Sequence, residues 1–124
     1  MLKKIKIFSY ILISLCLSLL LINKFSLDGV EGLIFSTLLK EDTVYAPAYS
    51  DKGFKKIHQN MRMKDVIELI GNPLFKQTEF FEEYKSNIDR WWYSKSASSS
   101  HYRIREIRFK DGKVCEKIHY FWGD

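Results

Sequence analysis

The segment IFSYILISLCLSLLLI, residues 7–22, divides the chain into two parts with different surroundings. It contains three serines and no charged residue; three lysines precede it, and Lys24 follows. At about 1.5 Å per residue, a helix over residues 5–22 measures roughly 27 Å, close to the ~30 Å hydrocarbon core of a bilayer. The segment therefore predicts a membrane-targeting helix and determines where the remaining residues work.

Three fates are open for this segment: cleavage as a signal peptide, lipidation at Cys16, or retention as an anchor. Signal peptidase requires small residues at the −3 and −1 positions of its cut, and the sequence INKFSL at residues 22–27 offers no such pair. A lipidated cysteine would follow a small residue, whereas Leu15 precedes Cys16. We expect an uncleaved single-pass anchor over residues 1–23, with cleavage and lipidation as the alternatives.

The N-terminal lysines predict the orientation of this anchor. Lys3, Lys4 and Lys6 lie before the apolar segment, and basic residues stay on the cytoplasmic side of a membrane. We expect a bacterial inner-membrane protein with a cytoplasmic N-terminus. Residues from about 24 onward are then periplasmic or extracytoplasmic.

The net charge of +5 comes mostly from the targeting segment. Without its three lysines, 17 of the 20 basic residues remain against 15 acidic ones, a balance of +2. A nucleic-acid partner requires a concentrated basic face, so we expect none. The densest basic stretch alternates with apolar residues and predicts the solvated face of a strand; it comprises Arg103, Arg105, Arg108 and Lys110.

Residues 24–48 are interpreted as a juxtamembrane helix and linker. Residues 28–40 (DGVEGLIFSTLLK) have apolar residues near helical spacing, so they either extend the membrane helix or form an interfacial one. Residues 43–50 (TVYAPAYS) are expected to be an extended linker, because Pro47 restricts the residue before it to extended conformations. One small domain follows over residues 49–124, and it includes the low-complexity run SKSASSS at residues 94–100.

Two short helices are predicted at the start of this domain. Ser50 or Asp51 caps the first, in which Phe54 and Ile57 supply the apolar side. The second begins at or slightly before residue 64 and has a regular apolar face. Gly71 provides its left-handed stop, and the following Asn-Pro prevents resumption. The apolar face of the second helix comprises Met63, Val66, Ile67 and Ile70.

The pattern then changes to strands rich in aromatic and β-branched residues. The Asp111-Gly112 pair predicts a hairpin turn between the last two strands. An offset in the apolar alternation places a bulge near Arg105 or Glu106. We expect an α+β fold in which an N-terminal transmembrane helix is followed by two short helices packed on a three- or four-stranded antiparallel sheet. The predicted strands are residues 75–84, 90–94, 102–110 and 113–121.

One set of residues in the domain forms a pattern that is found in a known family. The set comprises Tyr49-Ser50, Phe54, Ile57, Asn60-Met61, Val66, the stretch LIGNP at 69–73, Trp91-Trp92-Tyr93 and the stretch IRFKDGKV at 107–114. Over about residues 49–121 the chain thereby resembles the SmpA/OmlA (BamE-like) domains. The resemblance implies a BamE/BLIP-like fold in an envelope compartment.

No arrangement of residues indicates catalysis or metal binding. The closest pair of ligand-type residues is Cys115 with His119, and zinc requires three or four ligands. The sequence contains no nucleophile motif and no phosphate-binding loop. We therefore expect no enzyme activity, no cofactor, no metal and no small-molecule substrate. Cys115 is interpreted as a small buried hydrophobic residue.

The abundance of aromatic residues indicates protein contact instead. We expect Trp91, Tyr93, Ile107 and Phe109 to form the core. Exposed aromatics and arginines are typical anchors of protein interfaces. The family resemblance implies that such contact serves a membrane-anchored accessory of an outer-membrane or envelope assembly complex. The alternative that the BLIP-like fold implies is an inhibitor or immunity-type protein that blocks an enzyme or toxin. The candidate partner-binding residues are Trp92, Arg103, Arg105 and Trp122.

Overall fold

The structure is a computed structural model that describes residues 1–98 and 100–123, except for the side chain of Phe25. Ser99, in the low-complexity run, and Asp124, at the end of the expected domain, lie outside the described residues. The elements in chain order are α1 (Leu2–Phe25), α2 (Gly29–Leu38), β1 (Thr43–Tyr45), α3 (Asp51–Lys56), α4 (Met63–Ile70), β2 (Phe75–Phe81), β3 (Ser86–Trp92), β4 (Ser94–Ser96), β5 (Tyr102–Lys110) and β6 (Lys113–Trp122).

The first helix, α1, is the single helix in the described ranges that is long and apolar enough to cross a membrane. None of its apolar stretch is buried against the rest of the protein (0%), so packing inside the protein does not explain its composition. The Ser18 hydroxyl donates to the Ser14 carbonyl oxygen at 2.9 Å, which satisfies this polar group within the helix. The expectation of one N-terminal candidate membrane helix is confirmed.

The fold class is α+β, as predicted, and the main sheet has four antiparallel strands in the order β2-β3-β5-β6. The Asp111-Gly112 turn joins β5 and β6 with φ of 52° and 74°, as the hairpin prediction requires. The hairpin between β2 and β3 was not predicted. It turns over residues 82–85, where Lys85 has a φ of 48°, and its sequence has no glycine to signal the turn.

The two predicted short helices are present, and their ends follow the sequence signals. The Ser50 hydroxyl accepts a hydrogen bond from the Gly53 amide at 3.0 Å and so caps α3. Gly71 ends α4 with a φ of 72°. The predicted core aromatics of the sheet pack against both helices. The buried core comprises Ala46, Phe54, Ile57, Val66, Ile70, Trp91, Tyr93, Ile107, Phe109 and Val114.

The predicted bulge lies elsewhere than expected. Strand β5 is continuous through Arg105 and Glu106, and the register shifts between Arg108 and Phe109 opposite Val114. The expectation near Arg105 was wrong because β5 is a central strand with buried residues on both faces. Apolar residues can therefore occupy consecutive positions of this strand without a bulge between them.

The first part of the expected linker is extended, and Thr43–Tyr45 are also paired. The linker is not extended throughout, because residues 47–48 form a turn in which the Tyr49 amide donates to the Ala46 carbonyl oxygen at 3.0 Å. Strand β1 forms a two-stranded antiparallel sheet with β4, from Thr43 opposite Ser96 to Tyr45 opposite Ser94. The Ala46 amide then donates to the Tyr93 carbonyl oxygen at 2.9 Å. This segment thus holds the region after α2 against the domain.

Candidate functional site

The four-stranded sheet has two faces with different surroundings. The covered face carries Tyr93, Ile107 and Phe109, which pack against α3 and α4. Side chains at alternate positions project from the other face, which we call the open face. Its aromatic rings and ion pairs contact residues of neighbouring strands. The open face includes Phe75, Glu79, Phe81, Arg90, Trp92, Tyr102, Glu106, Arg108, Glu116, Tyr120 and Trp122.

Five charged side chains form an ion ladder across the open face. Glu106 lies at its centre, between Arg90 and Arg108. Arg90 places its Nε 2.6 Å from Glu106 Oε1 and its Nη1 2.9 Å from Glu79 Oε2. Arg108 continues the ladder, 2.9 Å from Glu106 and 2.8 Å from Glu116. The hydrogen bond to Glu106 raises the pKa of Arg90 despite its partial burial. The ladder fixes the long charged side chains and leaves the face rigid.

Aromatic rings lie beside the ion ladder. Phe75 and Trp92 stack with ring centroids 5.6 Å apart, and the Arg90 guanidinium lies 4.8 Å from the Trp92 ring. Tyr120 and Trp122, near the end of β6, are 45% and 44% exposed. Preformed aromatic and arginine groups of this kind are typical of protein contact sites.

Trp92 differs from the other rings because its indole N–H is buried. This Nε1 atom has no hydrogen-bond partner among the described residues. An unsatisfied buried donor costs about 1–3 kcal/mol. The ring is only half-buried, so its exposed edge still contributes to the open face.

The two predicted arginines lie on the covered face, away from Trp92 and Trp122. Arg105 is 0% exposed, and two of its nitrogens contact the carboxylate of Asp28 at 2.8 and 2.7 Å. Arg103 contacts the same carboxylate at 2.8 Å and Glu41 at 2.9 Å. The expectation that Arg105 lies on a solvated strand face is therefore wrong, and a buried guanidinium offers no surface to a partner.

The buried charges of this cluster, Asp28 with Arg103 and Arg105, are mutually compensated. Burial lowers the pKa of Arg105, but the hydrogen bond and charge of Asp28 outweigh it, so that the pKa lies above its ordinary value. Arg105 Nε also donates to the Tyr49 hydroxyl at 2.9 Å, and that hydroxyl donates to Asp51 at 2.6 Å. Burial and this bond to Asp51 raise the pKa of Tyr49. The cluster therefore ties the end of the α1–α2 turn to the sheet.

Cys115 and His119, the closest pair of ligand-type residues in the sequence, each contact a backbone carbonyl oxygen. The Sγ of Cys115 lies 3.5 Å from the Arg108 carbonyl oxygen, and His119 Nδ1 lies 2.8 Å from that of Leu27. Cys115 is half-buried, and burial raises the pKa of its thiol. Within residues 1–98 and 100–123, no group of three or more His, Cys, Asp or Glu side chains is arranged to hold a metal ion.

Sequence reasoning missed Asp28 and Glu106, the acids that hold the arginines of both faces. One signal was present for the first. Because Ile107 and Phe109 are core residues, strand alternation places Arg105 on the same face. A buried arginine requires a buried acid, but the sequence does not show which of 15 acids is near it in space.

Comparison with known proteins identifies no relative: no family model, no curated protein and no solved structure matches this chain significantly.

Proposed function

We propose that this protein is a membrane-anchored, non-enzymatic protein of the bacterial envelope whose exported domain acts by protein contact on the open face of its sheet. The anchor is α1, with a cytoplasmic N-terminus. The domain is proposed to be of the SmpA/OmlA (BamE-like) type and to serve as an accessory of an envelope assembly complex.

The open face is the observation that supports this proposal. Its aromatic rings, among them Phe75 and Trp122, remain exposed at 46% and 44% while the ion ladder fixes the charges next to them. A rigid surface loses little conformational entropy on binding, which favours association. Trp92 and Trp122 belong to this surface, whereas Arg103 and Arg105 are no longer included.

The order of the elements supports the finer assignment. Two short helices precede an antiparallel sheet that they cover on one side, and the glycine stop and Asp-Gly hairpin lie at the positions that carry the family resemblance. The proposed periplasmic or extracytoplasmic location rests on the lysines before α1.

Affinity capture of the full chain from detergent-solubilised membranes tests the proposal. Strand β2 offers a matched pair: Phe75 lies on the open face, and Phe80, 55% exposed, lies on the opposite face of the same strand. We expect Phe75→Ala and Trp122→Ala to reduce the captured partner at least fivefold, and Phe80→Ala to leave it unchanged. Equal capture by all three variants would contradict the proposal.

The identity of the captured protein separates the two kinds of role. Components of an assembly complex support the accessory function. A single enzyme or toxin whose activity falls on binding supports the inhibitor or immunity function instead.

A further inference from the structure

The second helix, α2, exposes an apolar side directly after the candidate membrane helix. Leu33 and Ile34 are each 48% exposed and Leu38 is 76% exposed, while Gly32 on the opposite side is buried. Glu31, in the first turn, is the one charged residue of this helix; it is exposed on the same side, at the end nearest the α1–α2 turn. The water-facing side of a surface helix normally carries charged and polar residues. The composition of this side therefore indicates a surrounding other than water.

The hydroxyl groups of α2 are satisfied within the helix. Ser36 and Thr37 both donate to the Leu33 carbonyl oxygen, at 3.1 and 2.7 Å. Ser18 in α1 bonds Ser14 in the same way. In lipid, polar groups must find partners within the protein, and both hydroxyl groups of α2 have such partners.

The start of α2 is fixed next to the end of the apolar segment. The Asn23 side-chain oxygen accepts a hydrogen bond from the Val30 amide at 3.0 Å and so caps the helix. Asp28, at the N-cap position, directs its carboxylate to Arg103 and Arg105 instead. Since residue 23 directly follows the apolar segment, α2 begins at the boundary of the hydrocarbon region.

An apolar groove lies where α2 meets the end of β6. It has a volume of about 310 Å³, and its lining includes Phe35, Leu39 and Phe121. Phe35 and Phe121 stack with centroids 6.0 Å apart, which holds α2 against β6. This contact gives the exposed surface of α2 a fixed position relative to the domain.

We propose that this surface is a second membrane contact: α2 lies in the interfacial layer of the leaflet from which α1 emerges, with Leu33, Ile34 and Leu38 against the acyl chains. The proposal rests on membrane anchoring by α1. The occupant is lipid because α2 begins six residues after residue 23, so that an anchored chain holds this helix next to the bilayer surface. The domain is then held against the membrane, which restricts the directions that the open face can reach.

Depth-dependent fluorescence quenching of the full chain in liposomes tests this contact. Single cysteines for an environment-sensitive fluorophore are introduced as Ile34→Cys and Leu38→Cys, after replacement of both native cysteines by alanine. Leu12→Cys in α1 is the lipid control, and Lys64→Cys in α4, 79% exposed, is the water control. Phosphatidylcholine with a nitroxide near the top of its acyl chain is the lipid quencher for positions 34, 38 and 64. A nitroxide near the end of the acyl chain serves for position 12, which lies at the middle of the span, and iodide is the aqueous quencher.

We expect the labels at positions 34 and 38 to be quenched by the nitroxide lipid at least twofold more than the label at 64, and to be protected from iodide. Quenching by iodide at 34 and 38, with lipid quenching retained at 12, would overturn the contact and leave the anchor intact. Protection from both quenchers would also overturn it, because it indicates a protein contact. Loss of lipid quenching at 12 as well would remove the anchor and this inference with it.

Discussion

At the scale of single residues, the structure contains buried charges, each of which is paired with a residue of opposite charge. The Asp28 carboxylate and the Arg105 guanidinium are both 0% exposed and make two hydrogen bonds to each other. Such a pair contributes little beyond its own desolvation cost, but removal of one partner leaves an uncompensated charge. The cluster therefore fixes the position of the α1–α2 turn more than it adds to stability.

Asp28→Ala is expected to lower the free energy of unfolding by about 3–5 kcal/mol, because it leaves Arg105 buried without its acid. Glu31→Ala, at an exposed acid in the same turn, is the matched control and should change it by less than about 0.5 kcal/mol. Denaturant unfolding of the full chain in micelles, followed by tryptophan fluorescence, measures both.

The double variant Asp28→Ala with Arg105→Met removes both charges. It should be more stable than Asp28→Ala alone, since no unpaired charge remains. A double variant that loses the sum of both single effects would contradict a compensated pair.

These residues also show how far sequence reasoning reaches at this scale. The core aromatics Trp91 and Tyr93 were predicted, because alternation in a strand follows from local geometry. Asp28 was not predicted as a partner of Arg105, since the two are 77 positions apart in the chain and only the tertiary fold joins them.

At the scale of elements, the helix ends and hairpins were predictable where a local conformation demands a particular residue. The helix stop at Gly71 and the turn at Asp111-Gly112 are of this kind. The β2–β3 hairpin and the pairing of β1 with β4 were not predictable. The first turns without a glycine, and the second depends on contacts between distant residues.

The two glycines provide a matched pair of substitutions. Gly71 has φ 72° and ψ −165°, and a Cβ there would lie 2.5 Å from the Ala48 Cβ; Gly112 has φ 74° with open space around it. Gly71→Ala should cost about 2–3 kcal/mol because strain and a clash add, whereas Gly112→Ala should cost about 1 kcal/mol from strain alone. Thermal unfolding followed by circular dichroism compares them, and equal losses would contradict the close contact at Gly71.

At the scale of the whole molecule, one apolar helix precedes a compactly folded α+β domain. The position of α1 near the N-terminus and the full exposure of its apolar stretch agree with a single-pass membrane protein. The three lysines before residue 7 predict which end remains in the cytoplasm. The candidate membrane helix was predictable from the sequence, because a helix that spans a bilayer needs about 20 apolar residues, and their presence depends on the segment alone.

Cysteine labelling in intact cells tests the proposed orientation. With both native cysteines replaced by alanine, Glu82→Cys in the β2–β3 turn should react with a membrane-impermeant maleimide once the outer membrane is permeabilised. Leu2→Cys, which keeps all three lysines, should react only after the inner membrane is disrupted. The reverse pattern would contradict the orientation.

The central claim is that the open face of the sheet contacts a partner protein, and site-specific photo-crosslinking in living cells tests it most directly. A photoreactive phenylalanine analogue at position 75 or 122 should give a discrete protein adduct. The same analogue at position 80, on the opposite face of β2, should give none. Adducts at 80 but not at 75 and 122, or no adduct at any of these positions, would contradict the account.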